Sequence, residues 1–365
     1  MRIEFAANLW LGWRMGNFLH TLLLPFDSGA LQPPAAGQNW VVLNAETLPL
    51  PVPSSPPSPS PPPDGGDWQN LRCEQGSRPR FLALEAAGYR VQPDLGDLRN
   101  LDTCLVLASR SRAVNERNML RAWNALKPGG ILVFAGDKTS GVQPMRKWVG
   151  RLAAIDGSLS KHHAVVFWLS KSGDDWGREV LQKPDSKFDR DDFQIAPGMF
   201  SENGPDTGSL LLAEHFDQRL RGRVADFGAG WGYLSHRLIQ QCQRIERLEL
   251  FEADWASLRA AKLNVGPTET KADYHWADLT CEAPRGPFDW VVMNPPFHTG
   301  RAALPELGQT FIEAAARCLP AGGRLLMVAN TNLPYEKTLE TLFKKVERLD
   351  QAKGFKVIEA VKGSR

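Results

Sequence analysis

Residues 223–242 read RVADFGAGWGYLSHRLIQQC. An apolar run of strand length ends at Phe227, glycines follow at 228, 230 and 232, and a segment of helical period begins directly after them. Glycine permits positive φ and close backbone approach to a ligand, while the free amides that open a helix favour a negative group. The stretch therefore predicts a strand closed by the acid Asp226, a ligand-holding turn made by Gly228, Gly230 and Gly232, and a helix. A dinucleotide fingerprint would need its last glycine at 233, which is Tyr.

The same alternation continues downstream. RLELFEAD (247–254) reads as a strand, WASLRAAKLNV (255–265) as a helix, and ADYHWADL (272–279) and FDWVVMNPPF (288–297) as strands. ALPELGQTFIEAAARCL (303–319) is helical, GRLLMVANT (323–331) a strand, PYEKTLETLFKKV (334–346) a helix and GFKVIEAVK (354–362) a final strand. Such alternation means βαβ units, a mostly parallel sheet with helices on both faces, and ligands bound outside the carboxyl ends of the strands.

The spacing of the glycine turn resembles the S-adenosylmethionine turn of class I methyltransferases. Glu252 ends the next strand, where a carboxylate can accept bonds from both ribose hydroxyls. Asp278 closes the third strand and can accept from the adenine amino group; the alternative is a cap or loop acid. Asn294, Pro295, Pro296 and Phe297 then fall at the carboxyl end of the fourth strand, beside the methyl donor. An aromatic exocyclic amine is a poor nucleophile because its lone pair is delocalised into the ring. The Asn294 side-chain oxygen and the Pro295 carbonyl can take its two hydrogens and aim the lone pair at the sulfonium methyl. The prolines hold that backbone rigid, and Phe297 offers a face for a planar base. Positioning and preorganised acceptors then supply the catalysis without a strong base. His298 is a candidate general base or a residue that orients the loop.

The first half repeats the pattern. LDTCLVLASR (101–110) followed by NALKPGGILVFAG (124–136) matches FDWVVMNPPF followed by RCLPAGGRLLMVAN (317–330). With Asp102 set on Asp289, Leu107 to Arg110 stand where the second half has Asn294 to Phe297. No Gly-x-Gly turn follows a strand there, so the first half reads as a copy that kept the sheet and lost the site. The expected division is 1–170 for this degenerate domain, 171–192 for a polar linker and 193–365 for the catalytic domain, with a Pro-rich insertion at 49–66.

Composition bounds the rest. Over 365 residues, 43 basic and 41 acidic side chains leave a net charge of +2, so bulk charge does not name a partner. Residues 198–365 hold 21 of each sign, so no net positive field marks them as an RNA binder. Cys73, Cys104, Cys242, Cys281 and Cys318 are widely spaced, which argues against zinc and against a disulfide framework and for a reducing cytoplasm. The apolar opening is interrupted by Glu4, Asn8, Arg14 and Asn17, and no run long enough to span a bilayer follows.

The second half resembles the ribosomal guanine-2-amino methyltransferases of the RsmC/RlmG type. The resemblance rests on GMFSENGPDTGSLLL (198–212), DFGAGWG (226–232), FDWVVMNPPFHTG (288–300) and VANTNLPYEKTLE (328–340), in the family's order. It implies two tandem Rossmann-like class I methyltransferase domains, a mostly parallel sheet with an antiparallel strand at the C-terminal edge, and a catalytically silent first copy. It implies S-adenosylmethionine as cofactor, no metal, and ribosomal RNA or a ribosomal subunit as substrate, the small subunit favoured. Asn294 to Phe297 would hold the target guanine. Phe200, with Ser201, Asp206 and Gly208, would run beside the cofactor pocket, whose other residues are Asp226, Gly228, Gly230, Gly232, Glu252, Asp278 and Asn294. A monomer without a membrane partner is expected. The rival readings are methylation of another planar amine, an adenine in DNA or a glutamine in protein, and a non-catalytic RNA-binding or assembly factor.

Overall fold

Strands that are buried on both faces organise the protein, because continuous Val, Leu and Phe runs can sit only between two helical layers. The computed structural model describes residues 18–47, 68, 71–173, 193–296, 298–299, 302–303 and 305–364. The opening segment, the Pro-rich stretch 49–66, residues 174–192 and Phe297 lie outside the described residues. The chain divides into two compact units, Met1–Ser186 and Lys187–Arg365, a boundary inside the polar stretch 171–192.

In the first unit the strands are β1 (Trp40–Leu43), β2 (Arg72–Glu74), β3 (Arg90–Gln92), β4 (Leu101–Leu107), β5 (Leu126–Asp137), β6 (Gly157–Lys161) and β7 (Ala164–Ser170). The helices are α1 (Phe18–Asp27), α2 (Arg78–Ala86), α3 (Arg112–Ala125) and α4 (Val142–Val149). The second unit holds α5 (Thr207–Ala213), β8 (Arg221–Phe227), α6 (Tyr233–Gln241), β9 (Arg244–Glu252), α7 (Trp255–Val265), β10 (Lys271–Trp276) and β11 (Trp290–Met293). A two-residue pair, β12 (His298–Thr299) and β13 (Ala302–Ala303), precedes α8 (Pro305–Cys318), β14 (Arg324–Asn330), α9 (Glu336–Leu342), β15 (Lys345–Ala352) and β16 (Phe355–Val361).

The two sheets have one topology. Their orders are β3-β2-β1-β4-β5-β7-β6 and β10-β9-β8-β11-β14-β16-β15. In each, the first five strands are parallel, and the sixth in order, β7 or β16, runs antiparallel to its neighbours. This is the duplicated class I methyltransferase architecture. The duplication holds to single hydrogen bonds. Asp102 N donates to Asn39 O at 3.0 Å and Asn39 N to Asp102 Oδ2 at 2.7 Å. Asp289 N donates to Arg223 O at 2.8 Å and Arg223 N to Asp289 Oδ2 at 2.8 Å. One acid clamps the entry of the two central strands in both copies.

Alternation along β8 sorts its side chains between the two cores of the second unit. Ala225 and Phe227 join Phe288, Phe311, Ile312 and Met327 on one face, while Val224 joins Leu238, Leu248, Leu258 and Val292 on the other. One expectation is corrected here. The segment 334–346 does not stay helical: α9 ends at Leu342, Phe343 is extended at φ −123° and ψ 147°, and 345–352 forms an edge strand. Its polar sequence KVERLDQA hides a strand because an edge strand need bury only part of each side chain. The antiparallel strand β16 therefore lies one place in from the edge.

Candidate active site

Parallel pairing of β8 with both β9 and β11 brings three chemically loaded strand ends to the point where the strand order reverses. Phe227 pairs with Met293 and with Phe251, so Gly228, Asn294 and Glu252 emerge side by side. Gly228, Gly230 and Gly232 take φ of +72°, +55° and +90°, a region that side chains other than glycine rarely enter. Each has a different reason to be bare. A Cβ on Gly232 would sit 2.9 Å from the Ala261 backbone, so its absence lets α6 lie against α7. A Cβ on Gly228 would lie 3.5 Å from Phe311 and 3.9 Å from Pro296, which places the turn directly against the Asn-Pro-Pro stretch. A Cβ on Gly230 would meet nothing within 4 Å, so here the backbone is open toward the crevice.

Glu252 is tied to that turn. Its Oε2 accepts from Gly230 N at 2.8 Å and its Oε1 from Asp254 N at 2.8 Å. Burial pushes its carboxyl up to about 7, against the pull of those backbone donors. Asp226 is fully buried beneath the turn, where burial also raises it to about 7 although the Ser235 hydroxyl donates to its Oδ2 at 2.7 Å. Its Oδ1 has no partner among the described residues. An orphaned buried acid and an open glycine cradle fit a ligand that carries an ammonium group and a ribose.

Asp278 is buried, and its carboxylate shapes its own turn. Oδ1 accepts from Thr280 N at 2.9 Å and Thr280 Oγ1 at 2.7 Å, and Oδ2 faces Cys281 Sγ at 3.5 Å. Phe200 is 57% exposed, and it touches the glycine turn through its backbone, whose carbonyl takes the Trp231 indole N–H at 3.0 Å. Trp231 is otherwise buried in a small cluster with Phe193, Ile195 and Ala260.

Asn294 is half-buried, Pro295 buried and Pro296 exposed. The Asn294 amide nitrogen donates to Asp206 Oδ2 at 3.0 Å and to Ser209 Oγ at 2.9 Å. Its Oδ1 has no partner among the described residues. Asp206 also caps α5 by accepting from Gly208 N at 2.9 Å and Ser209 N at 3.3 Å. Lys356, buried in β16, fixes the loop beyond β14 by donating to Leu333 O and Glu336 Oε1 at 2.7 Å and to Thr331 O at 3.4 Å. Neither Lys356 nor the partnership of Asp206 and Ser209 with Asn294 follows from a local motif. The signal for Asp206 was its place in the 198–212 segment of the resemblance; Lys356 had none.

The first unit carries the same frame without the site. Asn44, at φ +53°, occupies the place of Gly228, and its amide donates to Leu107 O at 3.0 Å across the strand ends. Gln75 stands for Glu252: it accepts from Ser77 N at 2.9 Å as Glu252 does from Asp254, and donates to Ala45 O at 2.6 Å. Glu46 replaces Gly230 and pairs with Arg80 at 3.3 Å. A Cβ on Gly136 would stand 2.4 Å from Ala108 Cβ, so the loop after β4 lies down on the end of β5.

The fold and this site define a class I methyltransferase, duplicated along one chain, with an intact crevice in the second unit. Residues 191–359 match the model of the Methyltransferase small domain family. The chain is 27% identical over 305 residues to Ribosomal RNA small subunit methyltransferase C of Shigella flexneri serotype 5b, with 80% of this chain and 83% of that protein covered. Its identity to the protein of the same name from Enterobacter sp. strain 638 is 28% over 301 residues, with the same coverage. A solved structure described as T. thermophilus 16S rRNA N2 G1207 methyltransferase (RsmC) in complex with AdoMet and guanosine matches with a TM-score of 0.72 at 24% identity, covering 96% of this chain and 92% of that one. The chain is an S-adenosylmethionine-dependent methyltransferase, similar over most of its length to these small-subunit ribosomal RNA methyltransferases. Among the described residues no three His, Cys, Asp or Glu side chains gather as metal ligands, and no helix is long and apolar enough to cross a membrane.

Proposed function

We propose that this chain methylates the exocyclic 2-amino group of a guanine in small-subunit ribosomal RNA, and that the crevice of the second unit does so with the residues named above. The observation that carries the reading is the Asn294 amide, held through its nitrogen by Asp206 and Ser209 at the end of β11 one strand from the glycine turn, so that its oxygen is the end left for a substrate amine. When bound, S-adenosylmethionine supplies an electrophilic methyl group. Gly228, Gly230 and Glu252 bind its ribose and methionine portions, and the buried Asp226 sets the charge beneath them. Asn294 Oδ1 and the Pro295 carbonyl accept the two hydrogens of the amine, which turns the nitrogen lone pair away from the ring. Phe297, assigned from its place in the sequence, stacks on the base. The methylated nitrogen is cationic and strongly acidic, so it loses one proton to water; Asn294 Oδ1 and the Pro295 carbonyl hold the amine by hydrogen bonds and do not take the proton. Asp278 takes the lesser part, shaping the adenine end through its turn.

Asn294→Ala tests the assignment. Loss of one preorganised acceptor costs on the order of 100- to 1000-fold in turnover, while calorimetric affinity for the cofactor stays within a few-fold. Turnover near that of the unaltered protein overturns the role. Phe297→Leu separates a base from a protein side chain as substrate: stacking worth roughly 1 to 3 kcal/mol is lost on RNA, whereas a glutamine substrate has no ring to lose.

A further inference from the structure

Asn294 can help an amine only if its oxygen, and not its nitrogen, faces the substrate. The two ends of an amide differ little in shape, so something must hold the orientation. Both hydrogens of the Asn294 amide are consumed on one side, by Asp206 Oδ2 at 3.0 Å and Ser209 Oγ at 2.9 Å. An ionised carboxylate accepts only, so Asp206 refuses the flipped amide, which would set oxygen against oxygen. Asp206 itself is held by Gly208 N and Ser209 N at the start of α5, and Ser209 is buried. Glycine at 208 lets this corner approach β16, since a Cβ there would stand 2.8 Å from the Phe355 ring.

We propose that Asp206 and Ser209 are positioning residues that lock the Asn294 amide with its oxygen toward the target amine. They touch neither the substrate nor the cofactor in this account, and act through Asn294. The inference rests on the proposed amine chemistry of the site, yet its central statement, a locked amide, can be read without any substrate.

Asp206→Ala is the decisive variant. The same Oδ2 caps α5 and takes the Asn294 amide, so asparagine at 206 keeps an oxygen there and preserves the lock, whereas alanine removes it and leaves the amide free to turn. In the full chain the expected result is a fall of about 10- to 100-fold in kcat on small-subunit RNA, with KM and cofactor affinity little changed, while Asp206→Asn retains most of the turnover. Ser209→Ala, which frees one hydrogen, lowers kcat less, and the Asp206→Ala, Ser209→Ala double variant approaches Asn294→Ala. In parallel, the Asn294 side-chain amide signal is assigned by its loss in Asn294→Ala. It exchanges with solvent slowly in the unaltered protein and at least several-fold faster in Asp206→Ala. Unchanged kcat, or unchanged exchange, in Asp206→Ala overturns the inference. If the unaltered protein methylates no guanine in that RNA, the proposed function falls while the exchange result still decides the lock.

Discussion

Two carboxyls beneath the glycine turn, Asp226 and Glu252, titrate near 7 because burial removes the water that would stabilise their charge. In the fold each holds its proton more tightly than in the unfolded chain, whose values are the ordinary 3.8 and 4.5. The stability they contribute is therefore full below about 4 and is lost as the pH rises through 7, at most roughly 3 to 4 kcal/mol per group. Cofactor binding runs the other way, since an ammonium group and ribose hydroxyls favour ionised acids. Cofactor affinity should rise between about pH 6 and 8 and then level, with protons released on binding below 7. Calorimetry in buffers of different ionisation enthalpy measures this, and an affinity flat across that range contradicts it. The glycines separate by the same local reasoning. Gly230→Ala adds a side chain in open space, costs about 1 kcal/mol of stability for its left-handed backbone, and abolishes cofactor binding. Gly232→Ala drives a methyl into the Ala261 backbone and costs on the order of 3 kcal/mol, readable as a shift in the denaturation midpoint.

At the level of elements, β8 with its glycine turn, α7 over Trp255–Val265 and the end of β11 were legible in the sequence because their signals are local. A strand end, its turn and its helix lie in one stretch, and a βαβ unit sets the distance to Glu252. What the sequence concealed was long-range or weakly patterned. Asp206 and Ser209 reach Asn294 across 88 and 85 residues. The edge strand β15 carries charge along most of its length and reads as the tail of a helix. Asp278 reads as an acid at a strand end; the turn in which its Oδ1 accepts from Thr280 and its Oδ2 faces the Cys281 thiol was not marked by any motif. Lys356 is the element-scale case with a consequence, because its ammonium joins β16 to the loop between β14 and α9 through three acceptors. Lys356→Met keeps the apolar stem and leaves two carbonyls and Glu336 without this donor. It should destabilise the fold by roughly 2 to 4 kcal/mol, seen as a lower melting temperature; an unchanged one would show that the loop is held by other contacts.

Across the whole molecule, one sheet order is used twice and one crevice is kept. In the first copy Asn44 staples the strand ends through Leu107, Gln75 turns its amide into the Ala45 carbonyl, and the loop at Ala108 closes over β5. The full chain should therefore bind one S-adenosylmethionine, and Glu252→Ala should leave none; a stoichiometry of two would contradict the silent first copy. The substrate is the claim on which the account turns. It is tested most directly by incubating the protein with labelled S-adenosylmethionine and small ribosomal subunits or their RNA, then separating the digested nucleosides. The account predicts label in N2-methylguanosine from small-subunit RNA, lost with Asn294→Ala. Label in adenosine, in protein or in large-subunit RNA alone would contradict it.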